Sequence, residues 1–388
     1  MKLSHLAIIF IIIILPFSIV CRNNLNEYFL TLKEQVRLNN IVDVATQDAL
    51  GTLVELNDEF QMIYLNERFD VTQTLAREAI KNFFQTLAIN FNMPYIEEDT
   101  ENYFSMYVPA ILVIGYDGFF IYSVDDTGTS TYSYRLSPKI PYAYEENGVI
   151  VNLTLGNYIK IFANGRSYEG ELKDGFIEES KIKYDEYFHA FDDDATLTLK
   201  YLPDMTNDMS VMLYALNQSG VVLPSFIIPP SQTTVDAVPL IKDYEQEEQT
   251  ISRFHEKRRE EIINIIVQTL QEEINSHNTY AAIMGSTYDF ALPEIDGQTW
   301  RNSINDISVM SFIQGMPIGV NSFYNNYAFG ASRIVKTEYY YGTGDTANDR
   351  RYHLSSCVLL ETNLTNNIFI NRESAAIAGY YPCTVCSP

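Results

Sequence analysis

Cysteine is scarce in this chain, four in 388 residues. Three of them (Cys357, Cys383 and Cys386) lie near the C-terminal end, and Cys21 stands apart. That distribution excludes a disulfide-stapled scaffold. Positive charge is also scarce: 26 Lys and Arg stand against 50 Asp and Glu, for a net charge of −24. Phosphate binding needs clustered Lys and Arg, so nucleic acid is not an expected partner, and the balance suits a solvated protein outside the cytoplasm. The five histidines are His5, His189, His255, His277 and His353. No H-E-x-x-H, Walker loop, G-x-S-x-G or G-x-G-x-x-G occurs. No catalytic residue, bound organic cofactor or small-molecule substrate is therefore assigned, and the expectation is a non-enzymatic protein.

What is present is concentrated at the C-terminal end. His353-Leu-Ser-Ser-Cys357 is followed, after a spacer, by Cys383-Thr-Val-Cys386. The pattern H-x3-C…C-x2-C offers four ligands in two close pairs, the set that a closed tetrahedral Zn²⁺ site needs. The expected metal ligands are His353, Cys357, Cys383 and Cys386, with structural zinc as the cofactor. A Cys383–Cys386 disulfide, or a free Cys357, is the alternative, and it leaves His353 without a role. A four-coordinate site keeps no open position, so catalysis by the ion is not expected. Asp192-Asp193-Asp194 lacks the spacing, glycine and distal glutamate of a Ca²⁺ loop and reads as a solvated loop.

The residues Tyr352-His353, Cys357, Ala378-Gly379-Tyr380, Pro382-Cys383, Cys386 and Pro388 resemble the small zinc-binding module of the Ada DNA-repair proteins, which is also appended to various bacterial secreted or membrane proteins. The resemblance covers about a tenth of the chain. It implies zinc and a compact β-rich module. In the repair proteins all four ligands are cysteines, and the first accepts a methyl group from DNA phosphate. His353 holds that position here, so the resemblance argues against alkyl transfer.

At the other end, Lys2 precedes the apolar run Leu6–Val20, with isoleucines at 11 to 14, and Arg22 ends it. Fifteen helical residues reach about 22 Å, against a hydrocarbon core of about 30 Å. Counted from Leu3 to Cys21, the run reads as a thin membrane span, with the N-terminus cytoplasmic and the bulk extracytoplasmic. A cleaved signal segment, leaving a secreted protein, is the alternative, as is a lipoprotein through Cys21. From Asn23 to Leu65 there is no Pro and only Gly51, and apolar residues recur at helical spacing (Leu25, Phe29, Leu32, Val36; Ala45, Ala49, Leu53, Leu56). The stretch Asn39–Leu56 resembles the stems of TadE/TadG-type pseudopilins. That likeness implies an anchor followed by a helical stem. No Gly precedes the apolar run and no Glu sits early within it, so the type IV prepilin processing site is absent.

Between the ends, Asp70 is placed as the cap of a helix from about Val71 to Asn90. Tyr107–Gly115 and Phe119–Val124 read as a hairpin about Tyr116-Asp117-Gly118. Tyr142–Tyr144, Val149–Leu155, Tyr158–Phe162 and Ser167–Leu172 read as short strands, with Asn164-Gly165 among the turns. Leu223–Pro239 is linker-like. Leu240–His277 has neither Pro nor Gly and carries an apolar stripe of Ile251, Phe254, Ile262, Ile266, Leu270 and Ile274, so it reads as a second long helix packed antiparallel to the stem. Trp300–Gly315 reads as helical, and Arg333–Tyr341 as β-like.

The expected fold is α+β: an N-terminal transmembrane helix and stem, a mostly antiparallel sheet head, the second long helix on the stem, and a small C-terminal zinc module. The expected divisions are 1–22 anchor, 23–65 stem, 66–239 head, 240–341 long helix with an aromatic-rich segment, and 342–388 zinc module. The functional expectation is a membrane-anchored envelope protein, pilus-like or assembling with protein partners. An envelope hydrolase with its site in the 102–240 sheet is one alternative. A DNA-contacting module is another, although 333–388 offers it few basic residues.

Overall fold

The computed structural model describes residues 3–55, 71–126, 132–156, 158–171, 220–224, 253–295, 297–304, 306–317, 324, 327–334, 339–344, 350–355, 357–362, 367–370, 375, 378 and 380–383. The fold is α+β, built on one antiparallel sheet with helices on both faces. In chain order the elements are α1 (Leu3–Glu55), α2 (Gln73–Asn90), α3 (Glu97–Ser105), β1 (Ala110–Ile114), β2 (Gly118–Asp126), β3 (Tyr132–Leu136), β4 (Ile140–Glu146), β5 (Val149–Leu153), β6 (Tyr158–Ala163), β7 (Arg166–Glu171), α4 (Arg253–Ile283), α5 (Gly297–Ser303), β8 (Ser308–Ile313), β9 (Ala328–Arg333), β10 (Tyr340–Thr343), β11 (Arg351–Leu354), a 3₁₀ turn (Val358–Thr362), β12 (Asn367–Phe369) and β13 (Tyr381–Pro382).

The large sheet runs β7-β6-β5-β4-β2-β1-β8-β9, with β3 also paired to β2. An inner strand is β1, Ala-Ile-Leu-Val-Ile, flanked by β2 and β8 and buried at every residue. A strand covered on both faces reads as a continuous apolar run, and this one is β-branched at three of its five positions. One face packs under α1 and α2, through Leu38, Ile41, Val42, Ala45, Ala49 and Leu53 of α1 and Ala76, Ile80, Phe83, Phe84 and Leu87 of α2. Both sets recur at three- and four-residue spacing, which puts each on one helix face. Gly330 of β9 lets α1 approach: a Cβ there would lie 2.7 Å from Cγ1 of Val42. Thr46 and Ser332 then meet through their hydroxyls at 3.0 Å. The opposite face carries α4, through Ile262, Ile266, Leu270 and Ile274 of the predicted stripe; Ile251 lies outside the described residues.

Several expectations need correction. Among the described residues no helix is long and apolar enough to cross a membrane. The apolar run at the start of α1 is about 22 Å of helix against about 30 Å of hydrocarbon, and α1 continues from it without a break through Arg22, Asn23 and Asn24. The transmembrane anchor, and the single-pass topology and membrane placement that rested on it, are therefore withdrawn. The second long helix does not pack on the stem either. α1 and α4 cover opposite faces of the sheet, each burying its stripe against strands. The helix over Trp300–Gly315 is in fact the short α5 followed by β8, whose six residues are all buried between β1 and β9. Thr72 caps α2, its side chain accepting from Leu75 N at 3.3 Å. Asp70, Leu56–Leu65, Asp192–Asp194 and 225–252 lie outside the described residues.

A second, four-stranded sheet runs β12-β10-β11-β13. Its apolar core is Tyr340, Tyr352, Ala375 and Tyr380, with Leu354 and Phe369 against it. Gly342 is required by close packing, because a Cβ there would lie 2.6 Å from the Tyr380 ring.

Candidate metal centre

The small sheet brings together residues that are far apart in sequence. β10 and β11 pair antiparallel, with Tyr341 opposite His353 and Thr343 opposite Arg351. Alternation puts Thr343 and His353 on the same face, as diagonal neighbours. A tight turn follows β11, with Cys357 N donating to Leu354 O at 3.0 Å, and it folds the Cys357 side chain back towards His353. β13 then runs parallel to β11, pairing Tyr352 with Pro382. Cys383 continues that register, its N–H donating to Tyr352 O at 3.0 Å.

His353 Nδ1 lies 3.3 Å from Cys357 Sγ, and Cys357 Sγ lies 3.9 Å from Cys383 Sγ. All three residues are buried, and their ligand atoms lie within 4.8 Å of one another, so the group can hold a metal ion. The separations suit tetrahedral coordination. Metal–sulfur and metal–nitrogen bonds of about 2.3 and 2.1 Å imply S···S near 3.8 Å and N···S near 3.6 Å. A disulfide between Cys357 and Cys383 would need sulfurs about 2 Å apart. Burial, and then the nearby charge of Arg351, lowers the pKa of His353 below its ordinary value, which favours the neutral, ligand-competent ring. Three of the four predicted ligands are thus placed together. Cys386 lies outside the described residues.

Tyr380 of the quoted motif supports this arrangement. The Tyr380 ring packs 5.0 Å from that of Phe369, and its hydroxyl accepts from Asn367 Nδ2 at 2.5 Å. The Arg350 guanidinium lies 5.5 Å above the same ring. The sequence did not single out Thr343, whose Oγ1 lies 2.8 Å from His353 Nε2. Threonine is common in strands, and only the strand register reveals this contact.

The large sheet contains buried polar groups of another kind. Glu101 accepts from Arg77 Nη2 at 3.1 and 2.8 Å and from the Tyr122 hydroxyl at 3.3 Å, which ties α2, α3 and β2 together. Glu273 accepts from Ser123 Oγ at 2.6 Å, and burial raises its pKa. His277 is fully buried on α4, 2.9 Å from the Tyr134 hydroxyl and edge-on to Phe290. Burial lowers its pKa to about 4. Each carboxylate here is engaged by a neighbour that holds one element to another, as in a structural network.

No protein-family model matches the chain, and no curated protein or solved structure is significantly similar to it. The likenesses to the Ada-type module and to TadE/TadG stems rest on the quoted residues alone.

Proposed function

We propose that this chain is a non-enzymatic structural and interaction protein whose C-terminal sheet is clasped by one zinc ion, held by His353, Cys357, Cys383 and Cys386. The observation that carries this reading is the buried His353–Cys357–Cys383 group. Two thiolates and an imidazole form a donor set suited to zinc. Buried ligands with Cys386 as the fourth leave no position for substrate, so the ion's work is to hold the sheet. Among the described residues, the apolar core beside it is Tyr340, Tyr352, Ala375 and Tyr380. A sheet that small needs a further constraint to remain folded. The interaction role is supported by α1, where Phe10, Ile12, Phe17, Leu25, Phe29 and Val36 are all more than half exposed. Runs of exposed apolar side chains on one element mark contact surfaces.

The test is metal content of the purified full chain beside a His353→Ala/Cys383→Ser double variant. The expected result is one zinc per chain in the parent and none in the variant. Trp300, the only tryptophan, sits in the core beneath α4 and reports on the large sheet alone. Its unfolding transition should not move in the variant. A parent chain purified without metal under reducing, chelator-free conditions would sink the proposal.

A further inference from the structure

The contacts of His353 go further than naming it a ligand, because they choose which of its two nitrogens binds. We infer that Thr343 is a positioning residue for the metal site: it accepts the Nε2–H of His353, fixing the tautomer that turns the Nδ1 lone pair towards the two sulfurs. This inference rests on the zinc reading of the same site.

A neutral imidazole has one N–H donor and one lone pair, on different nitrogens. Thr343 Oγ1 is 2.8 Å from Nε2, while Nδ1 is 3.3 Å from Cys357 Sγ. A threonine hydroxyl can donate or accept, so ring orientation makes the choice: with Nδ1 facing the sulfurs its lone pair goes to the ion, the proton stays on Nε2, and the buried Thr343 Oγ1 is placed to accept it. The ring also has little freedom to turn. His353 lies within the four-residue strand β11, between β10 on one side and β13 on the other. Flipping the ring would take Nδ1 away from the sulfurs and Nε2 away from Thr343 together. Metal-bound histidines commonly donate their other nitrogen to such a partner, and losing it costs about 10- to 100-fold in metal affinity. Thr343 fills that role from β10, which provides none of the four ligands. The register of two strands therefore sets the coordination chemistry.

The experiment uses the full chain, labelled with ¹⁵N-histidine and loaded with ¹¹³Cd²⁺, together with Co²⁺ titrations of Thr343→Val and Thr343→Ser. Scalar coupling from cadmium to Nδ1 of His353, with Nε2 protonated, is the expected result. Thr343→Val removes the acceptor at constant shape and should weaken Co²⁺ binding about 10- to 100-fold, and Thr343→Ser should restore most of it. Coupling to Nε2 would overturn the inference and leave the metal site standing. So would a valine variant that binds as tightly as the parent. If Thr343→Val does not fold, the coupling in the parent still decides. A parent chain that takes up neither metal would remove the zinc reading and this inference with it.

Discussion

The two sheets of this protein reach stability by different routes. The large sheet buries apolar side chains on both faces, beneath α1 and α2 on one side and α4 on the other. Among its described residues the small sheet buries Tyr340, Tyr352, Ala375 and Tyr380 as its apolar core and places the buried His353, Cys357 and Cys383 around one point. A fully buried large apolar side chain contributes about 1.5–3 kcal/mol, so the first route scales with area. On the proposed reading, the second concentrates its stabilisation in a few bonds to one ion. The comparison teaches that the large sheet should tolerate loss of metal and respond to core truncation, and the small sheet the reverse.

The largest effect expected within the large sheet comes from Phe84→Ala. Phe84 is fully buried and meets the Phe83 and Tyr122 rings edge-on, each at 5.6 Å. Removing it should cost about 3–5 kcal/mol in denaturant unfolding followed by Trp300 fluorescence. Metal stoichiometry should stay at one. Joint loss of both would show that the sheets fold as one cooperative unit and break the contrast.

Acid should sharpen it. His277 titrates near 4 in the folded chain because burial disfavours its charge, and near 6.5 when unfolded. The unfolded state therefore takes up the proton first. Stability that is complete above about pH 6.5 is lost as the pH falls towards 4, by about 3 kcal/mol in all. Glu273 offsets part of this, since its raised pKa lets the folded state bind a proton earlier. A His277→Gln variant should show a flatter Trp300 stability profile over that range. An unchanged slope would mean that other groups govern acid sensitivity. The small sheet also weakens in acid, but through protons competing with metal for the ligands, and its loss should follow metal release.

The smallest effect expected is that of Gly342→Ala in the small sheet. The added Cβ would meet the Tyr380 and Phe369 rings, at 2.6 and 3.0 Å. Overpacking of this kind costs about 1–3 kcal/mol. It should weaken Co²⁺ binding while leaving the Trp300 transition where it was. Movement of the Trp300 transition would show that the two sheets are coupled.

Legibility from sequence followed the same division. The hairpin of β1 and β2 and the strands β4 to β7 were readable, because alternation and turn residues mark them locally. The face of α4 was readable from the spacing of Ile262, Ile266, Leu270 and Ile274. β8 was not, because Ile304, Ile307, Met310 and Ile313 fall at helical spacing, and a strand buried on both faces shows no alternation. β8 sits beside β1 only because a pairing across a long stretch of chain places Val309 opposite Val113. Apolar content at the start of α1 suggested a membrane span, yet the uninterrupted apolar length falls short of one.

By itself, the sequence determined the chemistry of the metal group. His353, Cys357, Cys383 and Cys386 are soft or borderline donors whatever the fold, and their spacing in two pairs suits a metal site. It also determined which faces of α1, α2 and α4 are apolar, because helical period is a local property of the chain. Tertiary structure alone decided which strands flank β1, which face of the sheet each long helix covers, and that Thr343 meets Nε2 of His353. Those outcomes depend on strand register between segments distant in sequence, and register is fixed by burying side chains on both partners at once.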